Sequence, residues 1–177
     1  MAKFRIGLLD PIAPEGVELL KTDANFEFEE RLGLKGSDLQ QALTEFDGVI
    51  IRSGVKITAE SLEGNKRLRA IVRAGVGTDN IDKEAATRLG IVVMNTPAGN
   101  TLSTAEHAFA LMLALSRSIA PAYQSLCGGK WDRKNYMGTQ LADKTLGVVG
   151  LGRIGREVAL RGLAFQMRVL AYDPFLT

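Results

Sequence analysis

The chain has 177 residues, enough for one domain and part of a second, with 46% apolar and 24% charged residues and a formal net charge of +2. That near-neutral balance gives no electrostatic footing for nucleic acid or a membrane surface, and the longest apolar run, residues 108–115, falls far short of a membrane span. The single cysteine, Cys127, excludes an internal disulfide and points to a reducing, cytoplasmic setting; the amino end leads directly into a strand pattern with no secretory apolar region.

Short apolar runs predict strands over residues 4–9, 26–30, 48–51, 70–73 and 91–94, with helical patterns between them. Pro14 stands near a helix start, Ser37 and Gln40 form a capping-box pattern, Thr58 and Asp82 are placed to cap the next two helices, and Gly90 to end the last. This alternation implies an α/β fold: a flavodoxin-like, doubly wound parallel sheet covered on both faces, over residues 1–98. Residues 95–100 read as a turn-rich hinge. Beyond it, Ser103 and Glu106 form a second capping-box pattern, opening a long helix to about Arg117. Residues 128–134 are polar and read as exposed, although Trp131 would prefer a contact. The rest reads as the start, the first βαβ unit, of a Rossmann domain within residues 99–177.

That last assignment rests on one motif. An apolar strand pattern over residues 145–149 runs into Gly150-Leu151-Gly152-Arg153-Ile154-Gly155, then a helical pattern over 156–165, then a strand pattern over 167–172 that ends at Asp173. The first glycine permits a tight turn, the second admits a pyrophosphate close to the backbone, and the third lets helix and sheet pack closely. The helix start offers unpaired N–H groups to phosphates, and Asp173 stands where a carboxylate receives the adenosine ribose hydroxyls. A negative charge there, with no arginine following it, favours NAD over NADP.

The glycine motif, read with residues 73–82 (RAGVGTDNID) and 95–100 (NTPAGN), resembles the D-isomer-specific 2-hydroxyacid dehydrogenase family along nearly the whole chain. Residues 51–53 and 129–138 are most similar to its branch acting on 3-phosphoglycerate in serine biosynthesis. The resemblance implies NAD-dependent oxidation of the CH–OH group of a phosphorylated 2-hydroxy acid, in a homodimer or larger homo-oligomer when full length. It implies substrate contacts from Arg52, Ser53, Arg73, Gly75, Val76, Gly77 and Asn100, with Asn100 lining an interdomain cleft, and cofactor contacts from Val76, Gly150, Gly152, Arg153, Ile154, Gly155 and Asp173. On the residues alone, Gly75 to Gly77 is equally a plain tight turn, and strand-end arginines are commonly solvated surface. The same holds for Arg133 and Lys134, while the helix after Ser103 serves either a dimer contact or burial within one chain.

The family's catalytic arginine, histidine and carboxylate match nothing in this chain and are expected beyond its end, so it reads as an inactive amino-terminal fragment with an incomplete NAD-binding domain. The sole histidine, His107, follows Glu106 on a helix and reads as a surface residue; no metal site is expected. Cys127 lacks a nearby base and reads as no nucleophile. Two other readings stand beside this one: a family member acting on glycerate or lactate, and a non-catalytic NAD-binding or corepressor-like protein.

Overall fold

The structure, a computed structural model, describes residues 3–175. The chain divides into two compact units, Met1–Gly99 and Asn100–Thr177.

In the first unit the elements alternate as β1 (Phe4–Leu8), α1 (Pro14–Thr22), β2 (Phe26–Glu30), α2 (Gly36–Leu43), β3 (Gly48–Ile51), α3 (Ala59–Leu62), β4 (Ala70–Arg73), α4 (Lys83–Arg88) and β5 (Val92–Asn95). All five strands are parallel, in the order β2-β1-β3-β4-β5, which is the flavodoxin-like arrangement. β2, β3 and β4 fall on the predicted residues; β1 is one residue shorter and β5 begins one residue later.

Two predicted caps form. Thr58 and Ser61 make a reciprocal box, with Ser61 N donating to Thr58 Oγ1 (3.3 Å) and Thr58 N to Ser61 Oγ (2.9 Å). Asp82 Oδ1 accepts from Ala85 N at 2.8 Å, and Gly90, at φ +71°, follows the end of α4. The box expected of Ser37 and Gln40 does not form. α2 begins at Gly36, which leaves Ser37 inside the first turn, and Gln40 instead reaches the Glu63 carbonyl.

Cover on both faces is realised on one face only within this unit. Leu39, Leu43 and Phe46 from the α2 side, Leu62 from α3 and Ala85 and Ala86 from α4 close over Val49, Ile51 and Ile71 of the sheet. The opposite face carries α1, which buries none of its residues. Between α1 and the strands a cavity of about 920 Å³ opens, lined by Ile12, Leu20, Phe26, Ile50 and Val72 among others. One amphipathic helix of nine residues is too narrow to cover three strands.

The second unit consists of α5 (Thr101–Ser116), α6 (Ile119–Cys127), a 3-10 turn at Arg133–Tyr136, β6 (Thr145–Val149), α7 (Arg153–Ala164) and β7 (Arg168–Tyr172). β6 and β7 pair in parallel. The capping box expected at Ser103 and Glu106 is absent, because α5 starts two residues earlier; Ser103 Oγ donates to the Asn100 carbonyl (3.2 Å), and Glu106 pairs with Arg161. α6 has no counterpart among the predicted elements. A left-handed Ser118 (φ +50°) breaks the helical run after α5, and Pro121 sits in the first turn of α6, where its missing N–H is harmless. The core is small: Phe109, Leu141 and Met167 are buried, with Met112, Leu113, Leu146 and Val158 against them. Among the described residues, no helix is long and apolar enough to cross a membrane.

Candidate functional site

Each unit presents a set of unpartnered backbone N–H groups at the carboxyl ends of its parallel strands, where open α/β sheets place ligands.

In the first unit the feature is the loop after β4. The Gly75 carbonyl accepts from Thr96 N (3.0 Å) and Thr96 Oγ1 (3.3 Å), and the Val76 carbonyl accepts from Asn95 Nδ2 (2.6 Å). In a planar trans peptide the N–H points opposite to the C=O. Turning these two carbonyls toward the end of β5 therefore aims the N–H groups of Val76 and Gly77 the other way, where neither finds an acceptor among the described residues. Two adjacent N–H groups presented together form an anion-binding concavity. Gly75 N does not join them, because it donates to the Arg73 carbonyl at 2.9 Å.

The neighbouring loop after β3 is held from both sides. Buried Asp10 accepts from Arg52 N (2.6 Å) and Val55 N (3.1 Å), and Asn80 Nδ2 donates to the carbonyls of Arg52 (2.8 Å) and Val55 (2.7 Å). This leaves Arg52 and Ser53 exposed; among the described residues the Arg52 guanidinium hydrogen-bonds only to the Pro11 carbonyl, at 3.5 Å. Arg73, the last residue of β4, is less accessible. Its side chain is 14% exposed, Nη1 pairs with Asp79 Oδ1 at 3.0 Å, and its buried Nε has no partner among the described residues. The Asp79 carboxyl is held below its usual range by its own backbone N–H first and by Arg73 second.

In the second unit, Gly150 takes φ +93°, a conformation that favours glycine, while its N–H donates to the Tyr172 carbonyl at 2.7 Å. A Cβ at Gly155 would collide with the Gly150 carbonyl oxygen, so the helix start lies directly on the turn. α7 begins at Arg153, three residues before the predicted span. The N–H groups of Gly152, Arg153 and Ile154 accordingly point out of the helix end with no acceptor among the described residues. Asp173 stands beside them: Oδ2 accepts from Leu151 N at 2.6 Å and Oδ1 from Phe175 N at 2.9 Å. Open space at Gly152, free N–H groups on a positive helix end and an adjacent carboxylate together fit an adenosine pyrophosphate.

Asn100 is the N-cap residue of α5 without a side-chain capping bond. Arg133 stacks over Trp131 at 5.6 Å, and His107 and Cys127 are exposed. Asp10, Asp79, Asn80, Asn95 and Thr96, which shape the first loop set, are missing from the residues singled out in the sequence. The available signal for Asp10 is a lone acid directly after an apolar strand; Asp79, Asn80, Asn95 and Thr96 lie within the segments that carry the family resemblance, without a role of their own there.

The chain belongs to the D-isomer specific 2-hydroxyacid dehydrogenase family, whose catalytic-domain profile matches residues 6–164. Among curated relatives, D-3-phosphoglycerate dehydrogenase of Archaeoglobus fulgidus is 47% identical over 98% of this chain and 33% of its own length. Hydroxypyruvate reductase of Thermotoga maritima is 44% identical over 98% of this chain and 56% of its own. The crystal structure of NAD+-bound 3-phosphoglycerate dehydrogenase from Entamoeba histolytica superposes with a TM-score of 0.79 at 34% identity, covering 99% of this chain and 56% of that one. The chain thus spans about a third to a little over half the length of these relatives.

Proposed function

We propose that this chain supplies the substrate-anion cradle and the adenosine-pyrophosphate half of the NAD site of a D-3-phosphoglycerate dehydrogenase. The observation that carries the proposal is the glycine turn with Asp173 beside it, on a chain that resembles relatives of that name. Val76 and Gly77 N–H groups hold the substrate carboxylate, and Arg52 and Arg73 meet its phosphate. Gly152, Arg153 and Ile154 donate to the pyrophosphate, and Asp173 exchanges its bond to Leu151 N for the ribose hydroxyls. NAD, when bound, accepts the hydride from the carbon bearing the substrate hydroxyl. Removal of the hydroxyl proton needs a base within hydrogen-bond reach, and His107, exposed on α5, is not assigned that part. The chain by itself binds both ligands and does not turn over.

Calorimetric titration of the 177-residue chain tests this. NAD binding that falls at least tenfold in Gly155→Val, and preference for D-3-phosphoglycerate over D-glycerate, are the expected results. Equal affinity for the two acids would favour a relative of the hydroxypyruvate reductase kind, to which the chain is 44% identical. NADH formation by the chain alone, abolished by Asp173→Ala, would overturn the assignment of the chemistry to residues outside it.

A further inference from the structure

The Arg73–Asp79 pair is built in an unusual place. A Cβ at position 77 would stand 2.7 Å from Asp79 Oδ1 and 2.8 Å from Arg73 Nη1, so the ion pair lies across Gly77, beside the two outward-facing N–H groups. The two partners are unequally exposed: Arg73 is 14% accessible at its side chain and Asp79 is 87%. The cation is thus a fixed part of the loop's floor, whereas the carboxylate reaches it from solvent. Arg73 Nε also keeps a buried, unpartnered donor, so a single carboxylate oxygen on Nη1 leaves the guanidinium unsaturated.

We propose that Asp79 is a specificity-determining residue: an internal competitor that covers the Arg73 guanidinium and gives way only to a phosphorylated ligand. This rests on the reading of the Gly75–Gly77 loop as the substrate's anion cradle and adds to it the source of its selectivity. A monoanionic acid satisfies the Val76 and Gly77 N–H groups and leaves the Arg73–Asp79 pair in place. A ligand that also carries a phosphate offers Arg73 more charge and more acceptor oxygens than one aspartate, and displaces it. The competing contact is exposed on one side, so its strength is that of a surface ion pair, and removing it raises affinity by about two- to fivefold.

The test is the affinity of the full chain for D-3-phosphoglycerate, inorganic phosphate and D-glycerate in wild type, Asp79→Asn, Arg73→Ala and the double variant. Asp79→Asn is expected to tighten both phosphorylated ligands about two- to fivefold and leave D-glycerate unchanged, with the gain vanishing in the Arg73→Ala background. Asp79→Glu, which restores the charge, is expected to return affinity toward wild type. Weaker or unchanged binding by Asp79→Asn makes Asp79 a prop or a bystander and overturns the competitor. A gain that persists without Arg73, or that extends to D-glycerate, reduces the effect to net charge and overturns it as well. If wild type and Asp79→Asn both fail to bind any of the three ligands, the cradle reading falls too, an outcome distinct from binding without a gain.

Discussion

In the first unit five strands lie under a continuous layer of buried Leu, Ile, Phe and Ala side chains, and its loops hang from strand ends fixed on that layer. In the second unit two strands, packed by α7, carry the glycine turn, and Val149, the last residue before it, is 87% exposed. The comparison teaches that two clusters of free backbone N–H groups can rest on very different foundations. The loop at Val76 and Gly77 stands on that buried layer, with the carbonyls of Gly75 and Val76 tied to Thr96 and Asn95 at the end of β5. The turn at Gly150 is held by the Tyr172 carbonyl at the end of β7, a strand with one neighbour, and by the Asp173 carboxylate just beyond it. The second unit is therefore the one expected to gain more stability from a bound ligand.

The sharpest way to break this contrast is Phe46→Ala. The ring is fully buried, with the guanidinium groups of Arg5 and Arg31 against it at 5.6 and 5.1 Å. Its loss is expected to destabilise the first unit by about 3–5 kcal/mol. Hydrogen exchange should show this in the amides of β3 and β4, with those of β6 and β7 unchanged. Next, NAD at about one hundred times its dissociation constant should protect the amides of β6 and β7 by about 2.7 kcal/mol and leave β1 to β5 alone. Protection spread evenly over both units would remove the asymmetry. Smaller still, Asp82→Ala should cost the first unit about 1 kcal/mol through its lost cap, whereas Ser103→Ala should change stability by less than about 0.5 kcal/mol, because its box is not formed. Urea midpoints of the two variants check this pair.

The least effect expected is one of pH. The carboxyls of Glu29 and Glu45 are held below the ordinary glutamate value of 4.5, chiefly by hydrogen bonds from Arg31. A lowered folded-state pKa means that the unfolded chain binds more protons between the two values, so stability is present above the ordinary value and is lost as pH falls below it. Arg31→Ala should flatten the dependence of the first unit's stability on pH in that acidic window. The same slope in both proteins would show that the cluster contributes nothing.

Much of this was legible in the chain because the signals are local. β3, β4 and β6 are short, mostly apolar runs and β2 alternates Phe with Glu, and the four strands fall where those patterns do. The glycine turn is equally local: three glycines at fixed spacing between a strand and a helix. Caps were legible only where the true helix start coincided with the candidate, as at Thr58 and Asp82. At Ser37 and Ser103 the pattern was present, but the helices had already begun at Gly36 and Thr101. α6 went unread because Ser118 supplies a left-handed turn without glycine. Asn95 and Thr96, which turn the Gly75 and Val76 carbonyls, and Asp10 and Asn80, which hold the loop after β3, all lie far in the chain from the loop they support, and only the sheet's strand order brings them to it.

The turned peptide planes of Gly75 and Val76 carry a genetic consequence. In the proposed cradle the groups that meet a carboxylate belong to the main chain, so no codon for a side chain at position 76 encodes them, and on that reading the position can drift among residues the fold accepts. The instructions that aim them are written about twenty positions downstream, in the Asn95 amide and the Thr96 hydroxyl and N–H. On that reading, heritable loss of recognition is expected to surface also as variants at Asn95 and Thr96, outside the loop itself.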